Sequence, residues 1–154
     1  MNPAAPWKLA SISDNKDSRC DLVRQWLRED NWKKNPEVMA KYNQEANDPV
    51  PLVLLASVED AVIGGILAET VFSWLRISIM SVHPDWRSRG LGASLLAAAE
   101  QEALARGCHQ SYVDTMEYQA PRFYAAHGYA IVGTLRDWDS HGHAKFFLTK
   151  QLRA

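Results

Sequence analysis

The spacing of hydrophobic and polar positions predicts strands that alternate with helices. Two β-rich runs, Leu52 to Val58 and Val62 to Phe72, flank Glu59-Asp60, which is typical of a β-hairpin. A third run from Trp74 to Val82 predicts the next strand. Shorter runs predict four more strands, over Trp7 to Ile12, Tyr112 to Met116, Tyr129 to Leu135 and Lys145 to Leu152.

Helical spacing fills the intervals between these strands. The apolar residues Leu22, Val23, Trp26 and Leu27 predict a first helix, which Ser13 or Asp14 could cap. Asn35-Pro36-Glu37 predicts the start of a second helix that runs to about Ala46. Ala93 to Arg106 is strongly helical, with Leu96, Ala99 and Ala103 on one face and Gly107 as C-cap.

The segment from Val82 to Ala93 has the composition of a phosphate-binding turn. It leaves a strand, opens the long helix and reads Val-His-Pro-Asp-Trp-Arg-Ser-Arg-Gly-Leu-Gly-Ala. Gly90 and Gly92 have no Cβ, so the backbone can approach a ligand and turn its N–H groups toward it. The helix dipole favours an anion there, and Arg87 and Arg89 add positive charge. The turn therefore predicts a phosphate or diphosphate ligand.

Three phosphate-binding patterns compete for this turn. A P-loop would need a lysine after Gly92 and is excluded. A dinucleotide fingerprint would place a third glycine where Leu95 stands, although Asp114 could serve as its ribose-binding acid. The pattern Arg/Gln-x-x-Gly-x-Gly/Ala fits Arg87, Gly90 and Gly92 without exception. It resembles the coenzyme A loop of the GNAT superfamily of acyl-CoA-dependent N-acetyltransferases.

A second motif lies downstream, in Ala-Pro-Arg-Phe-Tyr-Ala-Ala-His-Gly-Tyr from Ala120 to Tyr129. Pro121 suits the first turn of a helix and Gly128 suits the position past its end. The segment resembles the superfamily pattern Ala-x-x-Phe/Leu-Tyr-x-x-x-Gly-Phe/Tyr, in which Tyr124 falls on the tyrosine that faces the coenzyme sulfur. Together with the tail from Gly142 to Lys150, the two motifs make residues 51–152 similar to bacterial GNAT enzymes.

This resemblance implies a fold, a reaction and a set of coenzyme contacts. The fold is α/β (α+β), with a central mixed, mostly antiparallel sheet of six to seven strands flanked by about four helices. Its element order, β-α-α-β-β-β-α-β-α-β-β, is the predicted order here, in a single domain over residues 1–154. The reaction moves an acetyl group from acetyl-CoA to a primary amine by direct attack within a ternary complex, without a metal. The implied coenzyme-binding residues are Met80, Ser81, Val82, Arg87, Ser88, Arg89, Gly90, Leu91, Gly92, Ala93, Phe123 and Tyr124.

Two residues are catalytic candidates. A Tyr124 phenol, with an ordinary pKa of about 10, could protonate the departing thiolate, although the ring could instead be a packing residue like Phe123. Glu117 stands where many superfamily members carry Asn or Ser, so its charge either meets the substrate amine or lies in a solvated turn. Three further side chains, or water held by backbone carbonyls, are alternatives for the general base: Glu69, Asp114 and His143.

The implied acceptor is a small-molecule or protein amine. The resemblance places the acceptor under the first two helices, residues 17–47, and beside the last strands. The substrate-binding candidates are Trp32, Glu69, Trp74 and His143, with Trp138 as a further aromatic. His141 and His143, near Asp137 and Asp139, could suggest a metal site, but a polar hairpin turn accounts for them and no metal is expected.

Composition sets broader limits. The chain has 154 residues, 47% of them hydrophobic, which is enough for one core. A net charge of -1 provides no electrostatic field for nucleic acid or an anionic membrane. The first residues lack the apolar region of a signal peptide and no apolar run is long enough for a membrane helix, so we expect a cytoplasmic protein. Cys20 and Cys108 are expected to be unpaired thiols, and the fold allows a homodimer.

Two other functions fit parts of the sequence. A non-catalytic acyl-CoA-binding module would keep Arg87, Gly90 and Gly92 but would have no use for Tyr124. An unrelated nucleotide-binding α/β domain would use Asp114 on a ribose. Ligand preference separates both from the transferase.

Overall fold

The computed structural model describes residues 7–153. Within them the chain forms four α-helices, α1 (Arg19–Lys34), α2 (Pro36–Tyr42), α3 (Leu91–Ala105) and α4 (Pro121–Ala126). It also forms six strands, β1 (Val50–Val58), β2 (Ala61–Val71), β3 (Trp74–Val82), β4 (Gln110–Met116), β5 (Ala130–Leu135) and β6 (Lys145–Gln151). The two ends of the predicted 1–154 domain, and most of the segment tested for a signal peptide, lie outside the described residues.

The chain divides into two compact units, at residues 1–45 and 46–154. The first contains α1 and α2. The second helix begins as predicted, with Asn35 at its N-cap and Pro36 in its first turn, but it ends at Tyr42 rather than near Ala46. A separate 3-10 turn follows at Glu45–Asn47.

Two predictions for the first unit are wrong. Residues 7–12 form no strand, and the apolar side chains of Trp7 and Leu9 are 69% and 95% exposed. A strand requires a neighbouring strand for its backbone hydrogen bonds, and β1 to β6 pair with one another. Ser18 rather than Ser13 or Asp14 occupies the N-cap position of the first helix, and its side chain makes no capping hydrogen bond. The Asp14 carboxylate instead accepts a hydrogen bond from Lys16 N in a turn that precedes the helix.

The second unit is built on one six-stranded sheet in the order β1-β2-β3-β4-β6-β5. The β3–β4 pair is parallel and the other neighbouring pairs are antiparallel, which confirms the predicted mixed, mostly antiparallel sheet. The β1–β2 hairpin turns at Glu59-Asp60, as predicted.

Helix α3 packs on strands β1 to β3. It buries Leu96, Ala99 and Ala103, the face that the apolar spacing predicts. An ideal Cβ at Gly64 of β2 would lie 3.2 Å from Ser81 O and 3.3 Å from Leu91 Cδ2. The missing side chain at Gly64 therefore lets the beginning of α3 sit close to the sheet.

The regular pairing of strand β3 with β2 is interrupted at Ser78. On β2, Ala68 pairs with Ile77 and Leu67 pairs with Ile79, so Ser78 is an extra residue that forms a β-bulge. The parallel pairing with β4 ends at the same place, with Ile77 opposite Val113. Beyond the bulge, β3 and β4 separate.

The other general expectations concern cysteines and membrane spans. Cys20 and Cys108 are both free thiols, as predicted, and Cys108 is buried. None of the helices formed by residues 7–153 is long and apolar enough to cross a membrane.

Candidate active site

A cleft of about 900 Å³ occupies the gap between the separated strands. One wall is β3 beyond the bulge, and another is the loop that leads into α3. Strand β4 and helix α4 close the remaining sides. The lining residues are Ile77, Ser78, Ile79, Met80, Ser81, Val82, Trp86, Arg87, Ser88, Gly90, Leu91, Gly92, Ala93, Val113, Asp114, Thr115, Tyr118, Gln119, Ala120, Phe123 and Tyr124.

The cleft brings together eleven of the twelve predicted coenzyme-binding residues. Arg87 Nε donates a hydrogen bond to Val82 O at 3.0 Å, which fixes the guanidinium beside the end of β3. Arg89 is the exception, since its guanidinium lies over the Trp86 ring, 5.2 Å from the centroid. The loop can turn sharply because Gly90, at the N-cap of α3, has a φ of +83° in the left-handed region.

Gly92 lines the cleft in the first turn of α3. A Cβ built on it would be 3.5 Å from Phe123 Cε2 and 3.9 Å from Val82 Cγ2. Phe123 and Val82 both line the cleft, so any side chain at position 92 would project between two of its walls. The first N–H groups of an α-helix have no acceptor within the helix, so this end of α3 offers donors to an anionic ligand. The loop therefore fits a diphosphate.

Tyr124 lines the cleft from α4 although its side chain is 5% exposed. The rings of Phe123 and Tyr129 meet it edge to face, with centroids 5.3 Å and 5.5 Å away. Burial raises the pKa of Tyr124 to about 12. The hydroxyl is therefore protonated at neutral pH, as a proton donor must be.

Glu117 has a structural partner. Its Oε2 accepts a hydrogen bond from Ala144 N at 3.0 Å, while its own backbone N–H donates to Ala144 O at 2.8 Å. The residue thus ties the end of β4 to the beginning of β6. It lines a second, shallower cavity together with Gln119 and Arg122.

The acceptor candidates lie in different places. Trp32 belongs to α1 in the first unit and is 38% exposed. Trp74 begins β3, at the opposite end of that strand from Val82 and about 26 Å away at 3.3 Å per residue. Glu69 lies near Trp74, with its Oε1 3.7 Å from Arg76 Nη1. The structure places Glu69 and Trp74 outside the cleft.

His143 lies near the cleft. Its Nδ1 is 2.7 Å from Asp139 Oδ2, and its ring meets the cleft residue Tyr118 edge to face at 5.1 Å. The segment from Asp137 to His143 is the predicted polar turn before β6, where Asp137 Oδ1 accepts from Gly142 N at 2.7 Å. Among residues 7–153, no group of three or more His, Cys, Asp or Glu side chains could hold a metal ion.

The structure adds lining residues that the motifs do not indicate. Tyr118 and Ser78 belong to neither motif, and Asp114 is predicted only as an alternative general base or as the ribose-binding acid of the competing nucleotide sites. The sequence hides the bulge, because Ile79 continues the apolar alternation of Leu75 and Ile77, whereas in the structure Ile79 is 56% exposed and Met80 packs against the core. That change of phase can be recognised only once the buried face of the strand is known.

The fold agrees with the comparison to known proteins. The chain belongs to the acetyltransferase (GNAT) family, whose sequence profile matches residues 19–129. It is 35% identical to an acetyltransferase of Agrobacterium fabrum over 83 residues, which cover 54% of this chain and 61% of that protein. It is 34% identical to the blasticidin-S acetyltransferase of Streptomyces morookaense over 90 residues, which cover 58% of this chain and 65% of that protein.

A solved structure extends the similarity. A Bacillus cereus acetyltransferase superposes with a TM-score of 0.73 at 26% identity, covering 93% of this chain and 98% of that chain. This agreement confirms the predicted GNAT fold. The matched region spans about three fifths of the length of the curated relatives.

Proposed function

We propose that the protein transfers an acetyl group from acetyl-CoA to a primary amine. The observation that carries the proposal is the cleft itself, which runs from the glycine-containing start of α3, between β3 and β4, to Tyr124. A cleft of this form offers donors for a diphosphate at one end and a phenolic proton at the other. Membership of the acetyltransferase (GNAT) family supports the same reaction.

In this proposal the loop and the separated strand bind the coenzyme. Backbone N–H groups from Ser88 to Ala93 hold the diphosphate, since the N–H of Arg87 already donates to Pro84 O, and the Arg87 guanidinium adds charge beside it. The backbone of Met80, Ser81 and Val82 faces the gap where β4 no longer pairs with β3, so it can bind the pantetheine arm and the thioester oxygen. Phe123 packs against that arm.

Tyr124 is the proposed general acid. As the amine nitrogen forms its bond to the thioester carbon, the carbon–sulfur bond breaks, and the phenol donates its proton to the departing thiolate. The amine nitrogen gives up its own proton to water, and a proton from water restores the phenol, so no net proton is taken from the chain. The amine attacks directly, so no residue of the chain is acetylated on the way. A catalytic role for Glu117, in contact with the substrate amine, stays a prediction. Its carboxylate accepts a hydrogen bond from Ala144 N in the structure.

The whole chain is proposed to act as one acetyltransferase domain. The family profile supports this, since residues 19–129 extend across the boundary between the two compact units. A homodimer also stays a prediction.

The choice of ligand separates this function from its two rivals. Acetyl-CoA should raise the melting temperature, while NAD and ATP should not. A ligand at 100 times its dissociation constant stabilises the folded state by about 2.7 kcal/mol. Stabilisation by NAD or ATP, without any by acetyl-CoA, would instead indicate the nucleotide-binding domain.

Turnover separates the transferase from a binding module. The protein is mixed with acetyl-CoA and a panel of amines, and the released thiol is measured. The panel contains blasticidin S, because a relative is named for that acceptor, an aminoglycoside, free amino acids and a peptide. Acetyl-CoA binding with no acetylation of any panel member would favour the non-catalytic module.

A further inference from the structure

The mouth of the cleft carries a carboxylate on the far side of the sheet from Tyr124. Along β4, Val113 and Thr115 are buried, whereas Asp114 between them is partly exposed. Because alternate residues of a strand face opposite sides, Asp114 points away from the core that contains Tyr124. Asp114 and Thr115 both line the cleft, so the opening passes through the sheet to the side on which Asp114 lies.

This carboxylate holds an ammonium group from the protein itself. Lys145 Nζ lies 2.7 Å from Asp114 Oδ1, and Tyr112 donates its hydroxyl proton to Asp114 Oδ2 at 3.1 Å. The same ammonium lies over two aromatic rings, 4.9 Å from the centroid of Trp138 and 5.7 Å from that of Phe147. A carboxylate combined with aromatic faces is how proteins recognise cationic ligands.

The Lys145 ammonium can be exchanged. The side chains of Lys145 and Asp114 are 21% and 35% exposed, so water reaches both. Asp114 lies inside the cleft, so a ligand cation can approach its carboxylate. That cation must compete with Lys145 for the same oxygen atoms.

We propose, on the basis of the acetyltransferase function above, that Asp114 anchors a second cationic group of the acceptor. Lys145 is then a specificity-determining residue. Its ammonium group pairs with the Asp114 carboxylate, so only an acceptor cation that binds Asp114 more favourably can displace it. The acceptor class is a small amine with at least one further positive charge. One amine reacts while the other is held by Asp114.

The test uses 1,4-diaminobutane, titrated by calorimetry into the full chain with and without saturating CoA. Lys145→Met should bind the diamine at least tenfold more tightly than the wild type, because the competing ammonium is gone. Lys145→Arg keeps the charge and should bind like the wild type. Asp114→Asn, alone or with Lys145→Met, should lose at least tenfold in affinity relative to its parent.

The control removes one positive charge from a residue that lies beyond the other end of β6. Arg153 is exposed and follows the far end of β6 from Lys145, so Arg153→Gln should leave diamine binding unchanged. If Arg153→Gln bound the diamine as tightly as Lys145→Met, the gain in affinity would come from the change in net charge, and the proposal would be overturned.

A second probe, 4-aminobutanoate, replaces one amine by a carboxylate. If Lys145→Met gains no affinity for the diamine, Lys145 does not compete for Asp114 and the proposal is wrong. If Lys145→Met loses 4-aminobutanoate binding that the wild type has, Lys145 recognises an anion and the proposal is also wrong. CoA binding is measured separately in each protein. Failure to bind CoA would count against the acetyltransferase function, whereas the diamine titration without CoA judges the Asp114–Lys145 pair alone.

Discussion

The Tyr124 side chain is buried but also lines the cleft. Removing its hydroxyl tests whether Tyr124 is the general acid. Tyr124→Phe keeps the ring and its contacts with Phe123 and Tyr129, so folding and coenzyme affinity should survive. We expect kcat to fall by roughly 10²–10⁴-fold, the usual contribution of a general acid.

The pH profile checks the same role. Because the pKa of Tyr124 is raised to about 12, its ionisation should not lower the wild-type kcat at any pH up to about 10. Near-full kcat in Tyr124→Phe would make the tyrosine structural and leave water to protonate the thiolate. The acetyltransferase function would survive that outcome.

Gly92 provides a graded test of the coenzyme loop. A methyl group in Gly92→Ala would reach ordinary contact with Phe123, whereas the larger side chain of Gly92→Val would overlap the space between Phe123 and Val82. We expect Gly92→Val to weaken acetyl-CoA binding at least tenfold, about 1.4 kcal/mol, and Gly92→Ala to weaken it less. Calorimetric titration of both variants measures this. Unchanged binding in a folded Gly92→Val protein would place the diphosphate elsewhere.

At the scale of elements, the bulge in β3 decides whether the sheet has a cleft. Without Ser78, the strand would alternate regularly, with Leu75, Ile77, Met80 and Val82 all on the core face. A regular β3 could continue its parallel pairing with β4 past Val113. Deletion of Ser78 should therefore give a folded protein that no longer binds acetyl-CoA.

The matched control for this deletion removes a residue from another part of the molecule. Asp60 lies in the β1–β2 turn, so its deletion alters a loop and should leave coenzyme binding intact. Retention of acetyl-CoA affinity after deletion of Ser78 would show that the bulge does not form the cleft.

The elements also show what sequence can and cannot predict. The glycine-containing turn before α3 and the short helix α4 follow from local rules, because proline restricts φ at Pro121 and glycine permits the positive φ of Gly90 and Gly128. Glu69 and Trp74 illustrate the opposite case. Their residue types suit an amine pocket, but their position depends on strand register, which only the pairing of whole strands determines.

At the scale of the whole molecule, buried tyrosines make stability depend on pH in the alkaline range. Burial raises the pKa of Tyr124 to about 12 and raises that of Tyr129 as well, while an unfolded tyrosine titrates near 10. Above pH 10 the unfolded chain loses these protons first. The free energy of unfolding should therefore fall between pH 10 and 12, by roughly 1.4 kcal/mol per pH unit for each tyrosine.

Denaturant unfolding at several pH values measures this slope. The Tyr124→Phe variant lacks one of the two phenols, so its stability should fall less steeply over the same window. Identical slopes for the variant and the wild type would mean that the Tyr124 phenol ionises equally in the folded and unfolded states.

The parallel seam between β3 and β4 has a wider consequence. In the second unit, it joins two three-stranded halves, β1-β2-β3 and β4-β6-β5, through the residues from Trp74 to Ile77 and from Gln110 to Val113. Past this seam the sheet lacks a segment of backbone pairing. The pantetheine arm of the coenzyme has amide groups of its own. Lying in this gap, it would hydrogen-bond to the unpaired backbone as an added strand does. Binding the substrate and completing the architecture would then be the same event.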